Sequence, residues 1–343
     1  MARILFQTYN TCFQNKSGGV NIRFSRIFDG LCKKKIDVKK FDKYADRVED
    51  FDIIHIFHLD LENLELIKYA KRLNKKVVIS SVVNTIGHKK VFFYKCLNIL
   101  RLQTNYRNYR ESLMLADIII AETKSEKKFI SKYYGINSNK ILIVPNGADL
   151  IDCPNDSIFS LWNGEKKAFV LQVGRFDANK NQMKIIKAFK GTDIQVVFIG
   201  GPSKANENYY NECLELAEGC DNFHFLGWVD NSSDILKSAY ANARVLVLPS
   251  YTETFGMVLV EAAMAGANLA ISNRLPILDY DIFSNCPTFN PNNIADIKNK
   301  VLIALDCQQP DLKEKVAEFF SWDSIVNQHI EIYSKLINYD KKD

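Results

Sequence analysis

Two short segments hold the residues whose types and spacing can do chemistry. In Val173–Asn181 (VGRFDANKN), Arg175 follows directly on a strand-like run. Lys180 sits five residues further on, where a loop turns into a helical pattern. A guanidinium and an ammonium converging on one point suit a diphosphate leaving group, because two cations neutralise the charge that develops on it. Alone, a strand-end Arg near a Lys is a common surface feature. A second segment, around Leu246–Ala265, gives the pair its meaning. There the strand-like run ARVLVLPS ends in a polar loop, and a helical pattern begins near Phe255-Gly256. Glu253 precedes that helix, and Glu261, eight residues later, is expected a little over two turns into it. Gly256 permits close backbone approach, and free amides near Phe255–Val258 face an anion with favourable dipole alignment. Such a site holds a phosphate while carboxylates accept hydrogen bonds from sugar hydroxyls.

The elements that must position these segments alternate along the whole chain. Arg3–Tyr9, Asp52–Phe57, Val77–Val83, Asp117–Ala121 and Ile141–Val144 read as strands. Helices are expected from a Gly18-Gly19 turn through Cys32 and over Leu61–Leu73. The pattern then restarts, with strands at Ala168–Val173, Gln195–Ile199, Phe223–Leu226, Val245–Leu248 and Leu269–Ile271. Met183–Phe189, Tyr209–Ala217, Ser232–Ala241 and Met257–Ala265 read as its helices. Continuous Val/Ile runs between helices indicate parallel sheets covered on both faces. The expected fold class is therefore α/β, with two doubly wound units joined near Asn146–Pro154. Ligands of such sheets bind at the C-terminal ends of the strands, so a cleft between the units is the expected site.

Composition narrows the classes further. At 343 residues the chain has the length of about two ordinary domains. With 47% hydrophobic and 25% charged residues, it is neither disordered nor collagen-like. No uninterrupted apolar run reaches the ~18 residues of a membrane-spanning helix. The eight cysteines include no CxxC pair, which argues against a disulfide framework or zinc cage and for free thiols in a reducing compartment. The opening MARILFQTY enters a strand pattern with no signal-peptide cleavage region, so a cytoplasmic location is expected.

Charge is unevenly spread. Residues 1–150 carry 27 Lys+Arg against 15 Asp+Glu, while the remainder carries 18 against 25. The first half is thus suited to an anionic partner. Its densest basic stretch, His88 to Arg110, holds six Lys/Arg and no acid, with Phe92, Phe93, Tyr94 and Leu97 between them. It reads either as a surface helix with a solvated basic face or as an amphipathic helix resting on anionic lipid. No helix-turn-helix, zinc-finger or RNA-recognition signature accompanies the charge, so nucleic acid is not an expected partner.

The ordered set of motifs resembles a family 4 glycosyltransferase with the GT-B fold of two facing Rossmann-like domains. Gly18-Gly19 follows the first strand, Ile143-Val144-Pro145-Asn146-Gly147-Ala148-Asp149 lies at the junction, and Val173-Gly174-Arg175 precedes Lys180. Leu226-Gly227-Trp228-Val229 comes next. Pro249-Ser250 then leads through Glu253-Thr254-Phe255-Gly256 to Glu261, the E-x7-E motif, with Ser321-Trp322-Asp323 to Tyr333 at the end. The resemblance covers essentially the whole chain. It implies an N-terminal acceptor-side domain over 1–150, a nucleotide-sugar domain over 151–322, and a C-terminal helix, about 323–343, packing back onto the first.

The resemblance also implies roles. Arg175 and Lys180 neutralise the departing diphosphate, and Glu253 contacts hydroxyls of the donor sugar. Glu261 accepts hydrogen bonds from the ribose, and the amides of Phe255, Gly256 and Met257 hold sugar and phosphate oxygens, with Thr254 bordering the donor pocket. Main chain at Gly227–Val229 meets the nucleobase, and Gly19 closes on the phosphates. Members of this family retain anomeric configuration and are usually metal-independent, two cations doing what a metal ion does elsewhere. No metal site or cofactor is expected. The triplets Asp50-Phe51-Asp52 and Asp279-Tyr280-Asp281 are of a kind that 40 acidic residues produce by chance.

One feature departs from the family. Many relatives carry a His at the end of the strand matching Val77–Val83, but here the run reads VVISSVVNT, with Ser80, Ser81 and Val82 and no His before His88. His55 and His58, at the preceding strand, read as structural or acceptor-side residues. The expected reaction is retaining transfer of a hexose or N-acetylhexosamine from a nucleotide-sugar to a saccharide. The basic first half favours a polyprenyl-diphosphate-linked acceptor at an anionic membrane surface, as in capsule, O-antigen or surface-polysaccharide assembly. That places the enzyme peripherally, at the cytoplasmic face of the inner membrane. The alternatives are a non-catalytic nucleotide-sugar-binding protein on the same fold, or a glycoside hydrolase with Glu253 and Glu261 as its carboxylates. In the last, Arg175 and Lys180 have no task. A nicotinamide dehydrogenase lacks its G-x-G-x-x-G, and a P-loop enzyme its G-x4-G-K-[ST].

Overall fold

The computed structural model of the chain describes residues 2–14, 19–83, 104–149, 169–307, 309 and 311–339. Contacts divide it into two units, Met1–Gly147 with Trp322–Asp343, and Ala148–Ser321. In the first unit the Val/Ile runs become β1 (Ile4–Gln7), β3 (Ile53–Ile56), β4 (Lys76–Ser80), β5 (Ile118–Ala121) and β6 (Ile141–Ile143), joined by a short β2 (Val38–Lys40). All pair in parallel, in the order β2-β1-β3-β4-β5-β6. Side chains alternate across the pleat. Ile54, Val77, Ile79 and Ile119 therefore enter one core, and Ile4, Phe6, Ile53, Val78 and Ile120 the other. The helices α1 (Gly19–Lys33), α2 (Leu61–Arg72), α3 (Asn105–Leu115) and α4 (Lys124–Phe129) belong to this unit, and α4 runs on as a π-helical segment, Ile130–Tyr134. Asp60, Thr104 and Thr123 cap α2, α3 and α4 with side-chain oxygens that accept free first-turn amides.

β4 stops three residues short of the expected Val83. The amide of Val83 donates to the buried Glu126 carboxylate at 3.0 Å instead of continuing a ladder. β2 carries no apolar run (Val-Lys-Lys) and was not expected from the hydrophobic pattern. Most of the basic stretch 88–110 lies outside the described residues; Arg107 and Arg110 fall on α3.

The second unit repeats the scheme. Its strands are β7 (Phe169–Val173), β8 (Gln195–Ile199), β9 (Phe223–Phe225), β10 (Val245–Leu248), β11 (Asn268–Ser272) and β12 (Thr288–Phe289). They form a second parallel sheet, ordered β12-β11-β10-β7-β8-β9. Around it lie α5 (Gln182–Phe189), α6 (Glu207–Ala217), α7 (Asp234–Asn242), α8 (Met257–Ala265), α9 (Ile294–Asp306) and α10 (Leu312–Phe320). α8 is apolar nearly all round, which fits a helix buried on most of its surface; only Glu261 interrupts Leu259, Val260, Ala262, Ala263 and Met264.

The last helix, α11 (Trp322–Tyr339), belongs to the first unit and packs on α1. A buried histidine helps to bind it there. His55 on β3 meets the Tyr333 hydroxyl through Nδ1 at 2.6 Å and the Ser80 hydroxyl through Nε2 at 2.9 Å. Burial, with His329 and Arg23 nearby, holds its pKa well below the ordinary 6.5, so the ring is neutral and donates through one nitrogen while accepting through the other. His55 is thus a structural residue. Tyr333→Phe leaves one ring nitrogen unpaired, and is expected to cost about 1–3 kcal/mol in urea unfolding. Loss of no more than a few tenths would show that this contact does not fasten α11.

A second buried pair ties α1 to the sheet. Arg23 donates to Glu122 at 2.9 Å, with both side chains almost fully enclosed. The same carboxylate oxygen accepts from Asn146 Nδ2 at 2.8 Å, and Arg23 also reaches the Val144 carbonyl at 3.2 Å. Removing either charged partner would strand the other without water, the costly case for buried ions. Among the described residues no helix is long and apolar enough to cross a membrane.

Candidate functional site

The C-terminal ends of β7, β8 and β10 bring the two chemistry-bearing segments of the second unit together. β7 ends in Gly174, whose amide donates to the Ile199 carbonyl of β8 at 2.9 Å. On β8 the next residue, Gly200, has φ +126°, and an added Cβ would lie 2.1 Å from the Gly174 carbonyl oxygen. Only glycine therefore lets these two strand ends approach so closely. Gly200 in turn donates to the Gly227 carbonyl at 2.7 Å, linking β8 to the loop after β9. Trp228 in that loop is 62% exposed. Its indole lies against Gly201, where a Cβ would sit 2.6 Å from Nε1.

Asp177 organises the cationic loop. Its carboxylate accepts from Arg175 Nε at 3.0 Å and from the Lys180 amide at 2.9 Å. The Lys180 side chain lies over Gly174 and donates to Glu253 Oε1 at 2.5 Å. Arg175 keeps more than half its side chain in solvent, whereas Lys180 and Glu253 are largely enclosed. Asn179 stitches this loop to the other: its carboxamide oxygen accepts from the Thr252 amide at 3.0 Å, and its nitrogen donates to the Thr252 carbonyl at 2.9 Å. The Tyr251 amide adds a bond to the Asn179 carbonyl at 2.9 Å. Asn181, at φ +60°, donates to the carbonyls of Pro249 and Pro291. Lys180 and Glu253 therefore meet because two loops are pinned to each other, although 73 residues separate them.

α8 begins directly after Gly256, which holds φ +104° and offers no capping side chain, and its first turn carries no acid. No side chain therefore takes up its first amides, and the Leu259 amide turns back to the Gly256 carbonyl at 2.9 Å. Phe255 is buried between Tyr280 and Phe320, which anchors the loop just before the helix. Because the helix starts only at Met257, Glu261 lies little more than one turn in, not the expected two. The stretch Glu253–Phe255 is non-helical, so half of the eight-residue spacing is spent before the helix begins. Glu261 Oε2 accepts from the Tyr240 hydroxyl of α7 at 2.6 Å. Burial raises the Glu261 pKa above 4.5 and nearby Asp149 raises it further, while the Tyr240 bond opposes both.

Of the expected residues, Arg175, Lys180, Glu253, Thr254, Phe255, Gly256, Met257, Glu261, Gly227 and Val229 all belong to the second unit. Gly19 opens α1 in the first, and Gly18 before it lies outside the described residues. Val229 packs partly against the core, and Gly227 takes φ +67°. Asp177, Asn179 and Tyr240 are not singled out by the sequence, and Asp149 figures there only as the end of the junction motif. For Asp177 a signal existed, since it stands between the two cations. Nothing local marks Tyr240 or Asp149 as neighbours of Glu261. Among the described residues no group of three His, Cys, Asp or Glu side chains is placed to hold a metal ion. Asp52 of the first triplet accepts the Arg3 amide, and Asp279 and Asp281 lie in two single-turn helices after β11.

Two family models match this chain. One, described as Glycosyltransferase Family 4, covers residues 17–151, and the other, Glycosyl transferases group 1, covers 155–320. The chain belongs to the family 4 glycosyltransferases. It is a retaining hexosyltransferase that takes its sugar from a nucleotide-sugar. An uncharacterized glycosyltransferase of Methanocaldococcus jannaschii is 25% identical to this glycosyltransferase, over 93% of its chain and 95% of the relative. An uncharacterized 41.2 kDa protein in the cps region of Klebsiella pneumoniae is also 25% identical, over 82% and 78%. Among solved structures, the Anabaena protein HepE in complex with UDP-glucose aligns with 98% of this glycosyltransferase and 100% of its own chain, at TM-score 0.72 and 15% identity. That likeness shows the GT-B fold.

Proposed function

We propose that this glycosyltransferase transfers a hexose from a UDP-sugar to a saccharide carried on a lipid diphosphate, in the assembly of a surface polysaccharide. The observation that carries the donor side is the Lys180 ammonium, held over Gly174 by Glu253, three residues ahead of the glycine that opens α8. A diphosphate in this region meets Lys180 and Arg175 as cations and the first amides of α8 as neutral donors. Glu253 keeps its second oxygen for a sugar hydroxyl, and Glu261 accepts from the ribose. As the bond from C1 to the leaving phosphate breaks, the acceptor oxygen bonds to C1 on the same face. Its proton passes to the leaving phosphate oxygen, which needs no protein base. The two cations act on the charge that appears on that phosphate, where fixed groups lower a barrier most.

UDP is favoured as the nucleotide by the fold neighbour solved with UDP-glucose. The capsule-region relative in Klebsiella and the basic first half of the chain support a surface-polysaccharide pathway and an anionic, lipid-linked acceptor at the cytoplasmic face of the membrane. Domain limits near 150 and 322 accord with this division of labour. A glycoside hydrolase reading leaves Arg175 and Lys180 without a task and has Glu253 already engaged by Lys180.

The test is incubation with UDP-glucose and a membrane lipid extract, followed by NMR of the product. Release of UDP with an α-linked glucosyl lipid is expected. A β-linked product, or no transfer from UDP-, GDP-, ADP- or dTDP-sugars, contradicts the proposal. Glu261 adds a pH dependence. Ribose hydroxyls donate to the ionised carboxylate, whose pKa is raised in the free protein, so binding releases a proton where the group starts protonated. UDP affinity should therefore fall as pH is lowered through that raised value, and Glu261→Gln should flatten the profile. Calorimetry in buffers of different ionisation enthalpy reads the proton directly. A profile unchanged by the substitution would remove Glu261 from the ribose.

A further inference from the structure

Lys124, Lys127, Lys128 and Lys132 surround a cavity of about 580 Å³ in the first unit, together with Ser131 and Ile143. It lies between α4, with its π-helical continuation, and β6, the last strand of that sheet. Lys124, Lys128 and Lys132 recur every fourth residue and are all exposed, so they form one stripe roughly 12 Å long. Lys127 turns inward instead and donates to the Ile141 carbonyl of β6 at 2.6 Å, closing the cavity against the strand.

Along its own sequence this stripe has little acid to balance it. The one acid in 124–140 is Glu126. It is buried on the opposite side of α4, where it accepts from the amides of Glu122 and Val83 and contacts the Ser81 hydroxyl. Among the described residues, Lys124, Lys128 and Lys132 have no carboxylate partner. Three like charges so close repel one another, and a multiply charged oxyanion relieves that repulsion. Below the ammonium rim, the lysine methylenes and Ile143 make apolar walls. A phosphate ester with a hydrocarbon part fits such a site better than a bare inorganic ion.

We propose that this cavity holds the phosphate headgroup of an anionic membrane lipid, so that α4 is a membrane-docking face of the first unit. This rests on the membrane location in the proposed function, to which it assigns a contact face, and does not depend on the identity of the donor. It also differs from the stretch 88–110, most of which lies outside the described residues.

The experiment is co-sedimentation with vesicles of phosphatidylcholine alone and of phosphatidylcholine with phosphatidylglycerol. The full chain is compared with K124A/K128A/K132A and with K124R/K128R/K132R. Wild type and the Arg variant are expected to bind the anionic vesicles only. The Ala variant is expected to lose roughly 100-fold in partitioning, as each basic residue near such a surface contributes about equally. Millimolar inorganic phosphate, added as competitor, should displace little of the bound protein. Wild type that ignores anionic vesicles, or an Ala variant that binds them as well as wild type, overturns the proposal; the second result moves docking elsewhere in the chain. Strong competition by free phosphate makes the cavity a soluble-anion site and equally overturns the lipid assignment. Thermal unfolding of the Ala variant checks that it folds. UDP binding, read on the same samples, separates failure of this proposal from failure of the donor reading.

Discussion

Lys180→Ala is expected to lower the rate of sugar transfer about 100-fold to 1,000-fold, the loss typical when one fixed donor to a developing charge is removed. Its ammonium is largely enclosed, lying over Gly174 and against the Glu253 carboxylate. The substitution also frees Glu253, which then repels an incoming diphosphate. For that reason Lys180→Arg, which keeps a cation against Glu253, should recover much of the lost rate, whereas adding Glu253→Gln to the Ala variant should recover only the part due to repulsion. Steady-state kinetics separate two cases. A fall mainly in kcat places the cation on the leaving group in the transition state, whereas a rise confined to KM assigns it to ground-state binding alone. An Ala variant within threefold of wild type in kcat/KM would remove Lys180 from the reaction.

Gly200→Ala is the substitution expected to damage the fold of the second unit most. At φ +126° an L side chain is strained wherever it points, and here the new carbon falls 2.1 Å from the Gly174 carbonyl oxygen, on backbone that cannot turn aside. Strain and overpacking together should cost about 3–5 kcal/mol. The strand ends must separate to admit the methyl, which carries Gly174 and Arg175 out of place. Activity should therefore fall even in molecules that remain folded. Gly191→Ala is the comparison. It also holds a positive φ, +73°, but nothing lies within 4 Å of the added carbon, and a cost of about 1–2 kcal/mol is expected. Urea unfolding of both variants measures the difference. Equal midpoints would mean that the approach of β7 and β8 is not what requires the glycine.

How much of this was legible in the sequence follows from where each signal resides. Both central sheets could be read because a parallel strand is buried on two faces and so must be a continuous Val/Ile run; β8 and β10 match their expected limits at both ends. β2 escaped because an edge strand needs no such run, and two of its three residues are lysines. β12 escaped because two residues carry no period at all. β4 was read too long because Ser81–Val83 is as apolar as a strand, while the acceptor that ends it, Glu126, lies 43 residues further on.

In the site, the ordered motifs were legible because they sit at strand ends, where glycine, cations and carboxylates interrupt apolar runs. Their pairing was not. The contacts of Lys180 with Glu253, Asn179 with Thr252 and Tyr240 with Glu261 each join different strand–helix units, and no local pattern predicts which will meet. The helix start at Met257 shows the same limit on a smaller scale. Eight residues separate Glu253 from Glu261 in either reading, but only the backbone at Gly256 decides how many of them are helical.

The donor reading stands on Arg175 and Glu261 as contacts of the nucleotide-sugar. Calorimetry with UDP-glucose on wild type, Arg175→Ala and Glu261→Ala tests it most directly. Binding by wild type that is weakened at least tenfold in each variant, with their unfolding midpoints unchanged, is the predicted result. Wild-type binding that both variants share undiminished would contradict it, and the donor would then have to be held by residues other than these two.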